Sequence, residues 1–367
     1  MIHGYATPQG TAAYAARLAG EVAAGHFRTV EGLHVSSVGI GTYLGQPDAA
    51  TDLRYEDAIV AAVHGGIDVL DTAINYRYQR SERCVGRAIA RLLGEGIARE
   101  ELFVCTKGGF LPGDADRGWD ERRYFQEIVN AGVASWDDVV AGCHCIAPGY
   151  LRHQIAASRS NLGLETIDVY YLHNPETQRM GGVDRESFRA RMRAAFAVLE
   201  EAVARGEIRW YGTATWEAYR QPPESPASLQ LAELVALARE VAGEEHHFRF
   251  VQLPVNLAMI EAIVQPTQGI GGRRLPFLAA AQELGIHAIA SASLLQAQLL
   301  GRLPAALRAR FPSLDTDAQR ALQFVRSTPG IVCALVGMQR VEHVRENLRV
   351  ARVPPLAEAV YRALFGA

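Results

Sequence analysis

The chain has 367 residues, 49% hydrophobic and 21% charged, enough apolar material for a large core and unlike a disordered or fibrous polymer. A formal net charge of −3 leaves no basic footprint for nucleic acid or an anionic membrane. No apolar run reaches membrane-spanning length and the first residues lack a basic-then-apolar leader pattern, so the expected setting is cytoplasmic.

Residues 7–26 are Ala-rich and helix-prone, within an N-terminal helical extension over residues 1–32 that covers the bottom of the fold or mediates assembly. From residue 35 onward, short apolar runs alternate with amphipathic stretches. The reading is strand 35–42, helix 55–64, strand 67–71, helix 81–93, strand 102–107, helix 150–162 and strand 167–173. It continues as helix 186–205, strand 208–213, helix 227–241, strand 248–254, helix 276–284, strand 286–292, helix 318–327, strand 331–336 and helix 341–350. The strands are near-continuous Val/Ile/Leu runs, as expected of strands buried on both faces. Gly65-Gly66 and Gly285 stand where helices should end, since glycine adopts the left-handed cap conformation readily. Eight such units without a linker predict one (β/α)8 TIM barrel over residues 1–367.

Several segments fall outside the alternation. Residues 108–148 form a long insertion after the third strand, at the rim where such barrels carry their sites. Its Trp119, Tyr124, Phe125 and Trp136 argue for order, as a lid or a pocket wall. Gln221-Pro222-Pro223 opens a stiff loop on the same rim. Gly269-Ile270-Gly271-Gly272 follows no strand and opens no nucleotide-binding unit, so it is read as a flexible loop, with Arg273-Arg274 as a solvated helix start. The five cysteines show no disulfide framework, and Cys143-His144-Cys145 lacks a second ligand pair for zinc, so it is read as an ordinary loop.

Four residues at strand ends carry the chemistry: Asp71, Tyr76, Lys107 and His173. A tyrosine, a lysine, an aspartate and a histidine at successive strand ends make a proton donor with the means to tune it. That is equipment for reducing a carbonyl with a borrowed hydride. Singly, each has an ordinary structural explanation; as an ordered set they do not.

The stretch Asp71-Thr72-Ala73, then Tyr76, Ser81-Glu82 and Gly86, followed by Lys107 and Leu172-His173, resembles the aldo-keto reductase family. Val38-Gly39-Ile40-Gly41-Thr42 is similar to that family's first strand, and Gly337 with Glu346-Asn347 to its adenosine-binding element. The resemblance covers roughly residues 33–350 and implies an NADP-dependent oxidoreductase, with NADPH as cofactor, NADH possible, and a small carbonyl compound as substrate. Tyr76 would be the general acid, its phenol lowered by Lys107, with Asp71 orienting the lysine and His173 donating to the carbonyl oxygen. The resemblance places cofactor contacts at Gly41, Thr42, Asp71, Asn174, Thr215, Gln252, Ser291, Leu294, Gln296, Gly337, Gln339, Arg340, His343, Glu346 and Asn347. Gln252 would take the carboxamide, and Glu346 and Asn347 the adenine.

The chain departs from the family pattern in places. Ala214-Thr215 stand where many relatives have Ser-Asn, Ser291 where many stack a tyrosine on the nicotinamide, and Gly337 and His343 at usually basic positions. Arg340 is the nearby cation that could pair with a 2′-phosphate. Two other functions fit the fold: a cofactor-binding regulatory or scaffold protein, and a lyase or isomerase. The first would not need the four residues together; the second leaves Gly337–Asn347 unexplained. The oligomeric state is open.

Overall fold

In the computed structural model, which describes residues 1–365, eight of the apolar runs pair in parallel and close on themselves. In chain order the strands are β1 (Phe27–Val30), β2 (Leu33–Ser36), β3 (Val38–Gly41), β4 (Val69–Asp71), β5 (Phe103–Gly108) and β6 (Ile167–His173). Then come β7 (Ile208–Ala214), β8 (Phe248–Pro254), β9 (Gln268–Ile270), β10 (Arg273–Leu275), β11 (His287–Ser291) and β12 (Ile331–Gly337). The barrel runs β3-β4-β5-β6-β7-β8-β11-β12 and returns to β3, with Gly337 opposite Gly41 at the seam. Closure leaves no unpaired edge strand. The strands' outward residues pack with the surrounding helices into one apolar layer, including Ile40, Leu70, Val104, Leu172 and Val251. Inward residues such as Val69, Phe103, Tyr171, Phe250 and Cys333 fill the interior.

The N-terminal extension corrects the sequence reading. Helix covers only Pro8–Arg17, capped by Thr7, and β1 and β2 then form an antiparallel hairpin. The run read as one strand over residues 35–42 is therefore two, broken at Ser37. An isolated β-hairpin cannot be told from a helical stretch by composition; here Val30, Leu33 and Val35 plug the barrel floor against the interior side chains. Two buried carboxylates pin this floor: Asp168 accepts from the Ala6 amide at 2.7 Å and Asp68 from the Ser36 amide at 2.7 Å.

A second correction concerns residues 268–275. Gly271 and Gly272, at φ +55° and +78°, make a two-residue turn between β9 and β10, so the glycines close a hairpin and Arg273-Arg274 begin a strand. The insertion after β5 is ordered, as expected. It carries helix Glu121–Asn130 and its own apolar cluster of Leu111, Tyr124, Phe125, Ile128, Cys145 and Tyr150.

Candidate active site

A cavity of about 690 Å³ opens at the C-terminal ends of the barrel strands, within the range of roughly 300–1,000 Å³ common for small-molecule and cofactor sites. Tyr76 and His173 line it, Asp71 reaches it from the end of β4, and Lys107 lies buried behind the wall. The local fold explains the convergence. Register puts Asp71 beside Cys105, and the loop beyond β4 is stitched to β5 by Thr72 N–H to Cys105 O at 3.0 Å and Ile74 N–H to Lys107 O at 3.2 Å. Tyr76 is thereby brought back over Lys107.

Lys107 Nζ donates to Asp71 Oδ1 at 2.6 Å and to Thr72 O at 2.8 Å, and sits 5.0 Å from the centre of the Tyr76 ring. Burial alone would pull this ammonium down, but Asp71 and Tyr76 outweigh it and hold Lys107 above its ordinary value, so it stays charged. The other oxygen of Asp71 accepts from Gln252 Nε2 at 2.8 Å. The phenol of Tyr76 departs from expectation. Burial pushes it up; Lys107 pulls it down without cancelling that effect. The protein thus holds Tyr76 protonated with a cation beneath it.

His173 faces Tyr76 across the floor, ring centres 5.8 Å apart at 75°. Burial, with Lys107 and His144 nearby, pushes its imidazole well below 6.5, so it is neutral. Its Nδ1 is buried without a partner. A proton there would have no acceptor, which favours the tautomer with the proton on Nε2.

Of the positions expected from sequence, all line this cavity except two: Lys107, which lies behind it, and Arg340. Arg340 is exposed and precedes helix Val341–Leu348, next to the lining residue Gln339. The lining holds no lysine or arginine. Asn174, at φ +46°, donates its amide to Ala214 O at 2.6 Å and so turns the chain at the end of β6. Beyond β11 the loop carrying Leu294 and Gln296 is left-handed at Ala292, Leu295, Gln296 and Ala297, a conformation disfavoured for residues with a Cβ. Sequence reasoning missed Tyr43, Asn75, Phe110 and Trp216, which surround the Tyr76–His173 floor. Tyr43 follows Thr42 and Asn75 precedes Tyr76, so adjacency to strand-end motif residues was the available signal. Among the described residues no group of side chains could hold a metal ion and no helix is long and apolar enough to cross a membrane.

A model of the aldo/keto reductase family matches residues 37–221, half of the chain. The chain belongs to the aldo/keto reductase family. It is similar to the NADH-specific methylglyoxal reductase of Escherichia coli, 28% identical over 190 residues, 50% of this chain and 49% of that protein. The match thus spans about half the length of that relative. An uncharacterized oxidoreductase, YqkF, of Bacillus subtilis is 23% identical over 345 residues, 90% of this chain and 92% of that one. Among solved structures, an aldo/keto reductase from Klebsiella pneumoniae in complex with NADP and acetate superposes with a TM-score of 0.58 at 21% identity, covering 92% of this chain and 93% of that one.

Proposed function

We propose that this aldo/keto reductase reduces an aldehyde or ketone to an alcohol with NAD(P)H, Tyr76 acting as general acid. The observation that carries the reading is the charged Lys107, clamped by Asp71 beneath the Tyr76 ring at the cavity floor, with neutral His173 opposite.

The lining suits a nicotinamide dinucleotide. Thr215 Oγ1, Ser293 Oγ and Asn347 Oδ1 are buried, belong to lining residues and lack partners, and such orphans call for a ligand or water. Gln252 spends its amide N–H on Asp71, which leaves its oxygen for a carboxamide. Gly41 and Gly337 pair across the seam with no side chain there, which would let a cofactor ribose approach the backbone. Gln339, His343, Glu346 and Asn347 would take the adenosine end, the loop with Leu294 and Gln296 the pyrophosphate, and Ser291 would lie beside the nicotinamide. A bound nicotinamide supplies the hydride. Its addition to a carbonyl carbon leaves negative charge on oxygen, which His173 Nε2–H stabilises and Tyr76 protonates. Lys107 supports the phenolate that results, and Asp71 holds the lysine in place.

NADPH is the first choice of cofactor, since the Klebsiella structure holds NADP, and NADH the second, as named for the Escherichia coli relative. All five cysteines are free, which suits the reducing conditions of a cytoplasmic setting. The test is Tyr76→Phe, assayed with an aldehyde panel beside a fluorescence titration of cofactor. Turnover should fall by about 100-fold or more while cofactor affinity holds. Binding without turnover in the unaltered protein would instead support a cofactor-binding regulatory role, in keeping with Ala214, Ser291 and Gly337.

A further inference from the structure

The chemistry above uses nothing from the long segment after β5, yet that segment contacts His173 and the turn that follows Tyr76. We propose that residues 109–147 are a fixed brace for the proton-donor pair, with His144 as the positioning residue for His173, and that the segment stays seated through turnover instead of opening as a lid. The inference rests on the reductase reading.

At the histidine side, His144 Nε2 lies 2.7 Å from the backbone carbonyl of His173. A carbonyl only accepts, so Nε2 carries the proton and Nδ1 is bare; Nδ1 accepts from Gln178 Nε2 at 2.9 Å. Gln178 Oε1 in turn accepts from Arg191 Nη1 at 2.6 Å. The polarity of this chain is fixed from end to end. Both His144 and Gln178 are fully buried, and burial takes the His144 imidazole down to about 4, so it keeps one tautomer near neutral pH. Phe110 stands edge-on to both rings, 5.1 Å from His144 and 5.0 Å from His173. Gly109, at φ +135°, lets the strand pass: a Cβ there would lie 2.9 Å from His144 Nε2 and 3.2 Å from His173 O. His173 depends on this support because its own Nδ1 has no hydrogen bond to set the ring angle. Its orientation comes from its backbone and from Phe110 and Tyr76 on either side.

At the tyrosine side, an independent set of contacts appears. Arg77, Tyr78 and Gln79 are consecutively left-handed, at φ +49°, +55° and +71°. Non-glycine residues hold that conformation only where the surroundings impose it. The same segment holds Tyr78 and Gln79, while Asp52 holds Arg77. Gln79 Nε2 donates to Gly113 O at 2.8 Å, the Ala115 amide donates to Tyr78 O at 3.2 Å, and Arg83 pairs with Asp114 at 2.8 Å and Asp116 at 2.5 Å. A Cβ on Gly113 would meet the Tyr78 ring at 2.4 Å, so the Gly113 backbone packs closely against that ring. The brace has its own apolar core, with Trp136 edge-on to Phe125 at 4.8 Å. Opening it would break all of these bonds together.

The test uses the full chain with His144→Phe, which fills the volume without a donor, and His144→Gln, which restores an N–H at similar reach. The expected result is a kcat at least tenfold lower in His144→Phe, substrate KM and NADPH affinity within twofold, and most of the kcat recovered in His144→Gln. Wild-type kcat in His144→Phe, or equal losses in both variants, would overturn the positioning role. Hydrogen exchange of the unaltered protein covers the case of variants that fail to fold. The amides of Leu111, Ala115 and Cys145, which bond to Cys143, Tyr78 and Gly109, should be protected with and without NADPH. Rapid exchange that slows tenfold on NADPH binding would mean a lid and refute the brace. If the unaltered protein shows no turnover at all, the reductase reading fails; the positioning role is then read on the His173 imidazole nitrogen resonances. These should move in His144→Phe and stay in His144→Gln, and an unmoved resonance in His144→Phe would overturn it.

Discussion

Asp52→Ala should be among the most damaging single changes outside the cavity, and more damaging than removing its principal partner. Asp52 lies in the first turn of helix Ala49–His64 and receives three guanidinium groups: Arg77, Arg80 at 2.7 Å and Arg87 at 3.0 Å. These are not equivalent. The Arg77 side chain is 1% exposed, against 18% for Arg80 and 49% for Arg87. Without Asp52, Arg87 keeps Glu56 at 2.6 Å and Arg80 keeps Asp116, so each loses roughly 0–1 kcal/mol. Arg77 retains only Ser81 at 3.1 Å and the face of Tyr55 at 5.3 Å, and its Nη1 already lacks a partner. An uncompensated buried charge of this kind costs about 3–5 kcal/mol. Arg77→Ala leaves Asp52 with Arg80 and Arg87, and should cost about 1–2 kcal/mol less than Asp52→Ala. Arg77→Gly should regain about 1 kcal/mol over Arg77→Ala, because glycine relieves the left-handed backbone at that residue. The assay is urea unfolding of the three single variants and the Asp52→Ala/Arg77→Ala double variant, with turnover measured in parallel. The double variant should be no less stable than Asp52→Ala alone, and kcat should fall as the turn behind Tyr76 loosens. Asp52→Ala found no more destabilising than Arg77→Ala would refute the argument that burial of Arg77 sets the penalty.

Three further outcomes are expected. Gly108→Ala would place a Cβ 2.1 Å from Tyr170 Oη and 2.7 Å from Gln154 Oε1, so overpacking should lower stability by about 1–3 kcal/mol and disturb Lys107 next to it; wild-type melting and turnover would contradict this. Arg340→Ala should weaken NADPH by about tenfold through loss of a charged hydrogen bond to the 2′-phosphate and leave NADH unchanged; equal effects in a binding titration would remove Arg340 from that role. The pH profile of kcat/KM for reduction should be flat across the usual histidine range, because His173 is held neutral with its pKa well below 6.5. It should fall only as Tyr76 loses its proton, above the ordinary phenol value of 10.0, since burial raises that pKa and the acid form is the active one. A limb near pH 6.5 would count against this assignment.

Local pattern carried much of the fold and most of the site. Parallel strands buried on both faces leave unbroken apolar runs, and eight of these with intervening helical periodicity admit few architectures other than the closed barrel. Because that fold gathers its strand ends on one rim, Asp71, Tyr76, Lys107 and His173 could be assigned to one place from order alone, whereas Gly41, Gln252 and Asn347 came only from the family resemblance. What chain order could not decide depends on distance across the fold. The hairpin over Phe27–Ser36 owes its form to the barrel interior it plugs, and the Gly271-Gly272 turn to strands too short to announce themselves. The protonated state of Tyr76 follows from burial outweighing the pull of Lys107, a balance between solvent exclusion and charge that no spacing records. Likewise His144 read as part of an ordinary loop until the fold set it 2.7 Å from the His173 carbonyl, 29 residues away. The identities of the proposed reacting groups were therefore local information, held in sequence. Their protonation and aim were settled only when distant segments shut out water and fixed each hydrogen-bond partner.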